Sequence, residues 1–198
     1  MSLAIVLIAV ISATWYFHTR TAQEMDPIAS SGGSDSLSIR IEHVPYWLQN
    51  DPRWGAETIG GSNERMAAAG CTITCLAMSI SYLGYQTDPQ QLCRDLKHQD
   101  GFTDQGYIKW DAVKVVTSGK LRVEFPNLTH EAIEAALHEK KPVIAKIMLS
   151  AKVPHWVLII GKEESEFIII DPLNPERKLL RLSDRSAQIY ALRVVRAV

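Results

Sequence analysis

The stretch Gly70-Cys71-Thr72-Ile73-Thr74-Cys75-Leu76-Ala77-Met78 sets the interpretation of the whole chain. Apolar residues recur at helical spacing from Thr72 to Tyr82, which predicts a helix that begins near Cys71 and stops at Gly84. The unpaired N–H groups and the macrodipole at a helix N-terminus favour an anion, so a Cys71 thiolate would be stabilised there. Cysteine is also among the most buried residue types, so a small apolar core residue is the alternative interpretation of this position.

Two apolar, β-branched segments further along carry an imidazole and a carboxylate. They are Pro154-His155-Trp156-Val157-Leu158-Ile159-Ile160-Gly161 and Phe167-Ile168-Ile169-Ile170-Asp171-Pro172. A five-residue turn after Ile160 would pair Ile160 with Glu166 and place His155 directly opposite Asp171, with Cβ atoms about 5 Å apart. The carboxylate would then orient the ring that takes the proton of the Cys71 thiol. A register slip of one residue would turn Asp171 to the other face of the sheet.

The other patterns predict helices first and strands later. Asp88-Pro89 is typical of an N-cap followed by the first helical position, a third helix is predicted over Tyr107–Thr117, and a fourth begins at Thr129. Strands are predicted over residues 143–149, 155–160, 167–170 and 189–195. Helices followed by an antiparallel sheet indicate an α+β fold.

Composition and cysteine spacing narrow the possible partners. The chain has 198 residues, 46% hydrophobic, with room for one globular core. Its net charge is −1 without a long run of Lys or Arg, so no nucleic-acid partner is expected. Cys71, Cys75 and Cys93 fit either one disulfide plus a free thiol or three free thiols. Together with His98 they fit no common zinc pattern, and neither a metal nor an organic cofactor is expected.

Residues 1–20 hold an apolar run, Leu3-Ala4-Ile5-Val6-Leu7-Ile8-Ala9-Val10-Ile11, followed by Trp15-Tyr16-Phe17. As a helix, Ser2–Phe17 would be roughly 24 Å long, slightly short of a hydrocarbon core. No Lys or Arg precedes the run and no Ala-x-Ala follows it. A retained membrane anchor is therefore favoured over a cleaved signal peptide or a buried core helix.

The sidedness and the domain boundary depend on the residues after this run. A short N-terminal anchor commonly exports the domain attached to it, so the domain is expected outside the cytoplasm, in the periplasm or at the cell surface. Arg20 favours the opposite orientation by the positive-inside rule. Residues 21–40 are rich in Ser, Gly and Asp and are predicted to form a flexible linker. The folded domain is expected over residues 41–198.

Four sequence blocks carry a resemblance to a known family. In chain order they are Val44-Pro45-Tyr46 with Gln49 and Asp51-Pro52-Arg53-Trp54, Gly70-Cys71 with Leu76-Ala77-Met78, Pro154-His155-Trp156 with Gly161, and Asp171-Pro172. They resemble the motifs of the papain-like, bacteriocin-processing (double-glycine leader) cysteine peptidase family and its stand-alone bacterial relatives. The resemblance implies a papain-like fold, with Cys71 as nucleophile, His155 as base, Asp171 as the residue that orients the imidazole, and Gln49 as oxyanion donor. An amide side chain is chemically suited to that last role.

Residues and resemblance together predict a cysteine peptidase that cleaves a peptide amide bond through a thioester acyl-enzyme. Its partners would be a peptide or protein substrate and, through the N-terminal segment, a membrane. Two alternatives stay open. A peptidoglycan amidase or a transglutaminase-like enzyme of the same fold would use the same Cys–His pair, and a non-catalytic peptide-binding module would keep the fold with an unreactive Cys71.

Overall fold

The computed structural model of the protein describes residues 26–198, which form helices packed on one curled antiparallel sheet. The helices are α1 (Met66–Ala69), α2 (Cys71–Tyr82), α3 (Pro89–His98), α4 (Ala112–Val116) and α5 (His130–His138). The strands are β1 (Ile28–Ala29), β2 (Ser38–Arg40), β3 (Leu121–Glu124), β4 (Val143–Ser150), β5 (Val153–Glu163), β6 (Glu166–Ile170), β7 (Leu180–Arg181) and β8 (Gln188–Ala197). A short 3-10 helix (Leu182–Asp184) precedes β8. The predicted α+β, papain-like fold is confirmed.

The sheet is built around the consecutive strands β4, β5 and β6. Its strand order is β1-β8-β4-β5-β6-β7, with β2 added beside β5 and β3 beside β8. Helices α2 and α5 both pack against β4 and β5. Because of this cover, β5 is buried over the continuous stretch Val157–Lys162, as expected for a strand that meets protein on both faces.

Helix α2 lies at the centre of the core and is buried on nearly all sides, including every residue from Ile73 to Ile80. A tight break separates it from α1. The break requires glycine, because a Cβ atom on Gly70 would lie 2.5 Å from the carbonyl oxygen of Met66. The break makes Cys71 the first residue of the helix. The helix ends just before Gly84, which has a φ of +86°, as predicted.

Local capping signals locate two further helices correctly. The Asp88 side chain accepts a hydrogen bond from the Gln91 backbone N–H at 2.8 Å, and the Thr129 hydroxyl accepts one from Ala132 at 3.2 Å. The helix predicted over Tyr107–Thr117 is shorter than expected and covers only α4. Its first residues instead pair with residues 101–103, where Lys109 N–H donates to Gly101.

The register predicted for the β5–β6 hairpin is wrong. Glu163 pairs with Glu166 across a tight turn, so β5 continues beyond the predicted turn start at Ile160. Gly161 and Lys162 resemble a turn in the sequence but have other roles in the fold. The carbonyl oxygen of Ile39 packs where a Gly161 Cβ would lie, at 2.7 Å, and the Lys162 side chain is fully buried.

The hairpin contains one extra residue in β5. Gly161 pairs with Ile168 and Ile159 pairs with Ile169, so Ile160 has no partner on β6. Such a bulge changes which side chains share a face on either side of it. The backbone carbonyl of Ile160 instead accepts a hydrogen bond from Ile41 N–H at 2.8 Å.

The predicted flexible linker over residues 21–40 does not match the structure in its second part. Strand β1 pairs with β8 and strand β2 pairs with β5, so residues 26–40, which we call the N-terminal strap, belong to the sheet. The glycines are explained by close packing rather than by flexibility. A Cβ on Gly32 would lie 2.6 Å from the His130 ring, and one on Gly33 would lie 2.1 Å from a Glu134 carboxylate oxygen.

A buried lysine joins the strap to the body of the domain. Lys162 Nζ lies 3.0 Å from Glu134 Oε1 and donates a hydrogen bond to the carbonyl of Ser34. The same Glu134 oxygen accepts the Ser34 backbone N–H at 2.7 Å. The Glu134 carboxylate thus balances the buried Lys162 charge, and the Ser34 carbonyl accepts one of its hydrogen bonds. Removing either partner would leave the ammonium group with an unpaired donor or an uncompensated charge.

The predicted membrane anchor over residues 1–20 lies outside the described residues. Among residues 26–198, no helix combines the length and the apolar character needed to cross a bilayer.

We expect the strap to be required for full stability. The free energy of unfolding should be about 2–5 kcal/mol lower for a chain that begins at residue 41 than for one that begins at residue 26. The shorter chain loses the β1 and β2 pairings and the Ser34 contacts of Lys162. Urea unfolding of the two truncated chains measures the difference. Equal unfolding midpoints would show that residues 26–40 contribute no stability and that the domain begins at residue 41.

Candidate active site

Cys71 lies at the N-terminus of α2 with its side chain largely enclosed, since the residue is 8% exposed. Its sulfur lies 4.0 Å from the Thr72 hydroxyl, and the nearby Trp156 backbone N–H lowers the pKa of Cys71. The N-terminal turn of a helix and two nearby donors together favour a negatively charged sulfur.

His155 lies near the start of β5 and is 2% exposed. Its Nε2 lies 2.8 Å from Asp171 Oδ1. Because an ionised carboxylate only accepts, Nε2 carries the proton of this bond. Cys71 lines the same cavity as His155, and it is one of the groups that raise the His155 pKa. The structure therefore brings the predicted Cys71, His155 and Asp171 together.

The contact between His155 and Asp171 differs in detail from the predicted one. Leu158 pairs with Ile170, the last residue of β6. The next residue, Asp171, therefore lies level with Val157. His155 is two residues before Val157 and hence on the same face. The two residues are diagonal neighbours on the sheet rather than directly opposite partners. The Cα atoms of such neighbours lie about 7–8 Å apart, a distance that the two side chains bridge.

The protonation of the Cys71–His155 pair follows from its surroundings. Burial alone would lower the pKa of His155, but the hydrogen bonds and negative charges of Asp171 and Cys71 outweigh it and raise the pKa to about 9. Burial alone would raise the pKa of Cys71, but the His155 hydrogen bond and charge lower it below its usual range. Both shifts move the pair towards a thiolate beside an imidazolium, and a thiolate is the nucleophilic form of cysteine.

Asp171 is fully buried and is held by three groups. Besides His155, the Leu173 backbone N–H donates to Oδ1 at 2.8 Å, and Arg185 Nε donates to Oδ2 at 2.6 Å. Burial would raise the pKa of this carboxyl, but the His155 hydrogen bond and charge, the Leu173 N–H and the Arg185 charge together lower it. Arg185 is absent from the predicted site residues, because an arginine among Ser and Asp residues has the pattern of a solvated turn.

Gln49 lies in the same cleft as Cys71 and His155, a cavity of about 390 Å³, although far from both in the sequence. The residue is 1% exposed. Its backbone N–H donates to Pro172 and its Nε2 donates to the Ala67 carbonyl, both at 3.0 Å. A side-chain amide has two N–H donors, so the second remains for a group bound in the cleft.

The residues that surround Gln49 in the sequence shape its loop. Asp51 accepts two hydrogen bonds from the Arg53 guanidinium, each at 2.9 Å, and this guanidinium stacks on the Trp54 ring. Trp54 Nε1 donates to the Leu48 carbonyl at 2.8 Å. The Asp51-Pro52-Arg53-Trp54 motif is thus explained by structure: it folds the loop that presents Gln49.

Aromatic side chains form one wall of the cleft. The rings of Trp110 and Trp156 meet edge to face with their centroids 5.9 Å apart, and Tyr107 also lines the cavity. The Arg193 guanidinium lies over the Trp110 ring at 5.2 Å and over the Trp156 ring at 5.7 Å. This wall offers an apolar surface beside His155, suited to side chains of a bound chain.

The other two cysteines are buried free thiols, so the disulfide that the sequence left open does not form in the structure. The Cys75 sulfur donates to the Trp156 carbonyl at 3.4 Å, and Cys93 donates to Thr58 at 3.7 Å. Burial raises the pKa of Cys75 well above its ordinary value and that of Cys93 to about 11. Both thiols therefore remain protonated at neutral pH, and only Cys71 has a lowered pKa.

Comparison with solved structures shows the same fold. A C39-like peptidase from Bacillus anthracis matches with a TM-score of 0.56 and 15% identity, over 82% of this chain and all of its own. The peptidase domain of Streptococcus ComA, a bifunctional ABC transporter involved in quorum sensing, matches with a TM-score of 0.50 and 15% identity. That match covers 79% of this chain and 98% of the ComA domain. No curated protein matches significantly.

The comparison with family models agrees with the structural matches and covers most of the domain. The model of the Peptidase_C39 like family matches residues 41–191, from the end of the N-terminal strap to the last strand. Both structural matches are peptidases or peptidase domains by their descriptions. This chain belongs to the Peptidase_C39 like family.

Proposed function

We propose that this protein is a cysteine peptidase in which Cys71 is the nucleophile, His155 the general acid and base, Asp171 the orienting carboxylate and Gln49 an oxyanion donor. The observation that carries the proposal is the cavity in which Cys71, at a helix N-terminus, lies with His155, whose Nε2 is 2.8 Å from Asp171 Oδ1. The lowered pKa of Cys71 and the raised pKa of His155 agree with it. Membership of a peptidase family supports it independently.

In the first half of the reaction, the Cys71 thiolate attacks the carbonyl carbon of a peptide bond and the carbonyl oxygen becomes negative. Two donors are suited to this oxyanion, the free N–H of Gln49 Nε2 and the Cys71 backbone N–H, which has no intrahelical acceptor at the helix start. The imidazolium of His155 then gives its proton to the departing amine. A thioester and a neutral imidazole remain.

In the second half, neutral His155 removes a proton from water and the resulting hydroxide attacks the thioester. The new tetrahedral intermediate expels the Cys71 thiolate and releases a carboxylic acid. The imidazolium is thereby restored, so protons and charges balance over the cycle. Asp171 keeps the Nε2–H of His155 bonded throughout, which holds the other ring nitrogen towards the sulfur.

The alternatives differ from this proposal at defined steps. A transglutaminase-like enzyme would use an amine instead of water in the second half, and a peptidoglycan amidase would use a different acyl donor. A binding module would need no nucleophilic sulfur, whereas the surroundings of Cys71 lower its pKa. Anchoring of the domain outside the cytoplasm through residues 1–20 stays a prediction.

Cys71 should react with iodoacetamide much faster than Cys75 and Cys93 at neutral pH, because only its pKa is lowered. Mass spectrometry of the labelled chain identifies the site. Cys93→Ala should leave the labelling rate unchanged and serves as the control, because Cys93 bonds Thr58 and does not line the cavity. Faster labelling of Cys75 would rule out Cys71 as the nucleophile.

Activity should depend on pH through His155. Its raised pKa of about 9 keeps the leaving-group proton on the ring through neutral pH, so kcat/KM should fall as the pH rises through about 9. His155→Ala should reduce kcat/KM by about 100- to 10,000-fold, and Asp171→Asn should retain part of the activity because the amide oxygen still accepts from Nε2. Kinetics on a fluorogenic peptide library measure both effects. Full activity of Asp171→Ala would exclude an orienting role for Asp171.

Gln49→Ala should lower kcat by about 100- to 1000-fold with little change in KM, because the oxyanion exists only in the transition state. The rate of Cys71 alkylation, which creates no oxyanion, should change little and controls for distortion of the loop. Gln49→Glu should be more damaging, since a carboxylate opposes both the oxyanion and the thiolate. A raised KM with an unchanged kcat would instead make Gln49 a substrate contact.

A further inference from the structure

The two oxygens of the Asp171 carboxylate have different partners. Oδ1 accepts from His155 and from the Leu173 backbone N–H, whereas among the described residues Oδ2 accepts only from Arg185. The carboxylate is fully buried, so water cannot replace a missing donor without rearrangement of the site. Loss of Arg185 would therefore leave a buried, negatively charged oxygen without a partner.

Arg185 reaches Asp171 from outside the cleft. Its backbone N–H donates to Leu182 at 2.9 Å, and Leu182 is itself completely buried, so the turn that carries Arg185 is fixed to the core. The guanidinium is 32% exposed and lines a second, open groove together with Gln188 and Tyr190. It does not line the cavity that contains Cys71 and His155.

We propose that Arg185 is a positioning residue for the reaction, acting on His155 only through Asp171. This inference rests on the proposed function for its importance in turnover, but not for its effect on the Cys71–His155 pair. Arg185 fixes the plane of the carboxylate by holding Oδ2, so that Oδ1 stays directed at His155 Nε2. Its charge also keeps the buried carboxyl ionised, and only an ionised Asp171 can support the imidazolium.

The variants for the test separate charge, hydrogen bonding and side-chain packing. Arg185→Met keeps an apolar stem but removes the charge and the donors, and Arg185→Lys keeps the charge and one donor group. Arg181→Met is the matched control, because Arg181 is an exposed arginine of the same segment and forms no ion pair among the described residues. Urea unfolding of each variant establishes that it is folded under the assay conditions.

The first measurement is the rate of Cys71 alkylation by iodoacetamide as a function of pH, which needs no knowledge of the substrate. In Arg185→Met, Asp171 should become protonated at higher pH, so the acidic limb of the alkylation profile should move up by about one pH unit. In Arg185→Lys the acidic limb should lie close to its original pH, and in Arg181→Met its position should not change. A folded Arg185→Met protein with an unmoved limb, or with one moved to lower pH, would overturn the inference.

A double-mutant cycle tests whether Arg185 acts through Asp171. In an Asp171→Asn background there is no carboxylate to ionise, so Arg185→Met should produce no further shift of the limb. An equal shift in both backgrounds would mean that Arg185 acts by another route and would overturn the inference. If the limb shifts as expected while no peptide is hydrolysed, the positioning role stands and the proposed peptidase function fails. If peptides are hydrolysed but the limb does not move, the reverse holds.

Discussion

The arrangement of the site depends on a single extra residue in strand β5. With no bulge at Ile160, the pairing of Gly161 with Ile168 would continue and place Leu158 level with Asp171. His155 is three residues from Leu158 and would then face the opposite side of the sheet. The bulge shifts the pairing by one residue, so imidazole and carboxylate share a face and a hydrogen bond of 2.8 Å forms. Without this shift, the imidazole on this strand would not have Asp171 as its orienting partner.

A site of buried charges is stable only if each charge has its own partners. The backbone of Trp156 shows how the chain provides them. Its carbonyl accepts a hydrogen bond from the Cys75 thiol at 3.4 Å, and its N–H is one of the groups that lower the pKa of Cys71. Cys75 lies one helical turn after Cys71, and burial keeps it protonated and therefore a donor. The two cysteines thus face opposite polar groups of the same residue, an acceptor for Cys75 and a donor for Cys71.

Features set by local interactions could be predicted from the sequence, and features set by tertiary contacts could not. Helix starts at Asp88 and Thr129 depend on side chains that bond backbone groups two or three residues away. The hairpin register was missed because Gly161 and Lys162 have the composition of a turn, although packing and a buried ion pair are the reasons for their presence. The side chain of Arg185 carries no local signal, since it contacts a carboxylate that directly follows β6, elsewhere in the chain. The order of cysteine, histidine and aspartate predicts which side chains lie together in the fold but not their geometry.

The strap connects the domain boundary to the site. Its last pairing brings Arg40 beside Gly161, and the next residue, Ile41, donates to the carbonyl of the bulged Ile160. This hydrogen bond continues the β2–β5 pairing by one residue and satisfies the buried carbonyl of the bulged residue. The pairing of the strap thus leads directly to the irregularity that aligns His155 with Asp171. Composition alone could not reveal this, because Gly32-Gly33 is as common in flexible linkers as in segments packed too closely for a side chain. Residues that look like a tether in the sequence thus pair, in the fold, with the strand that carries His155.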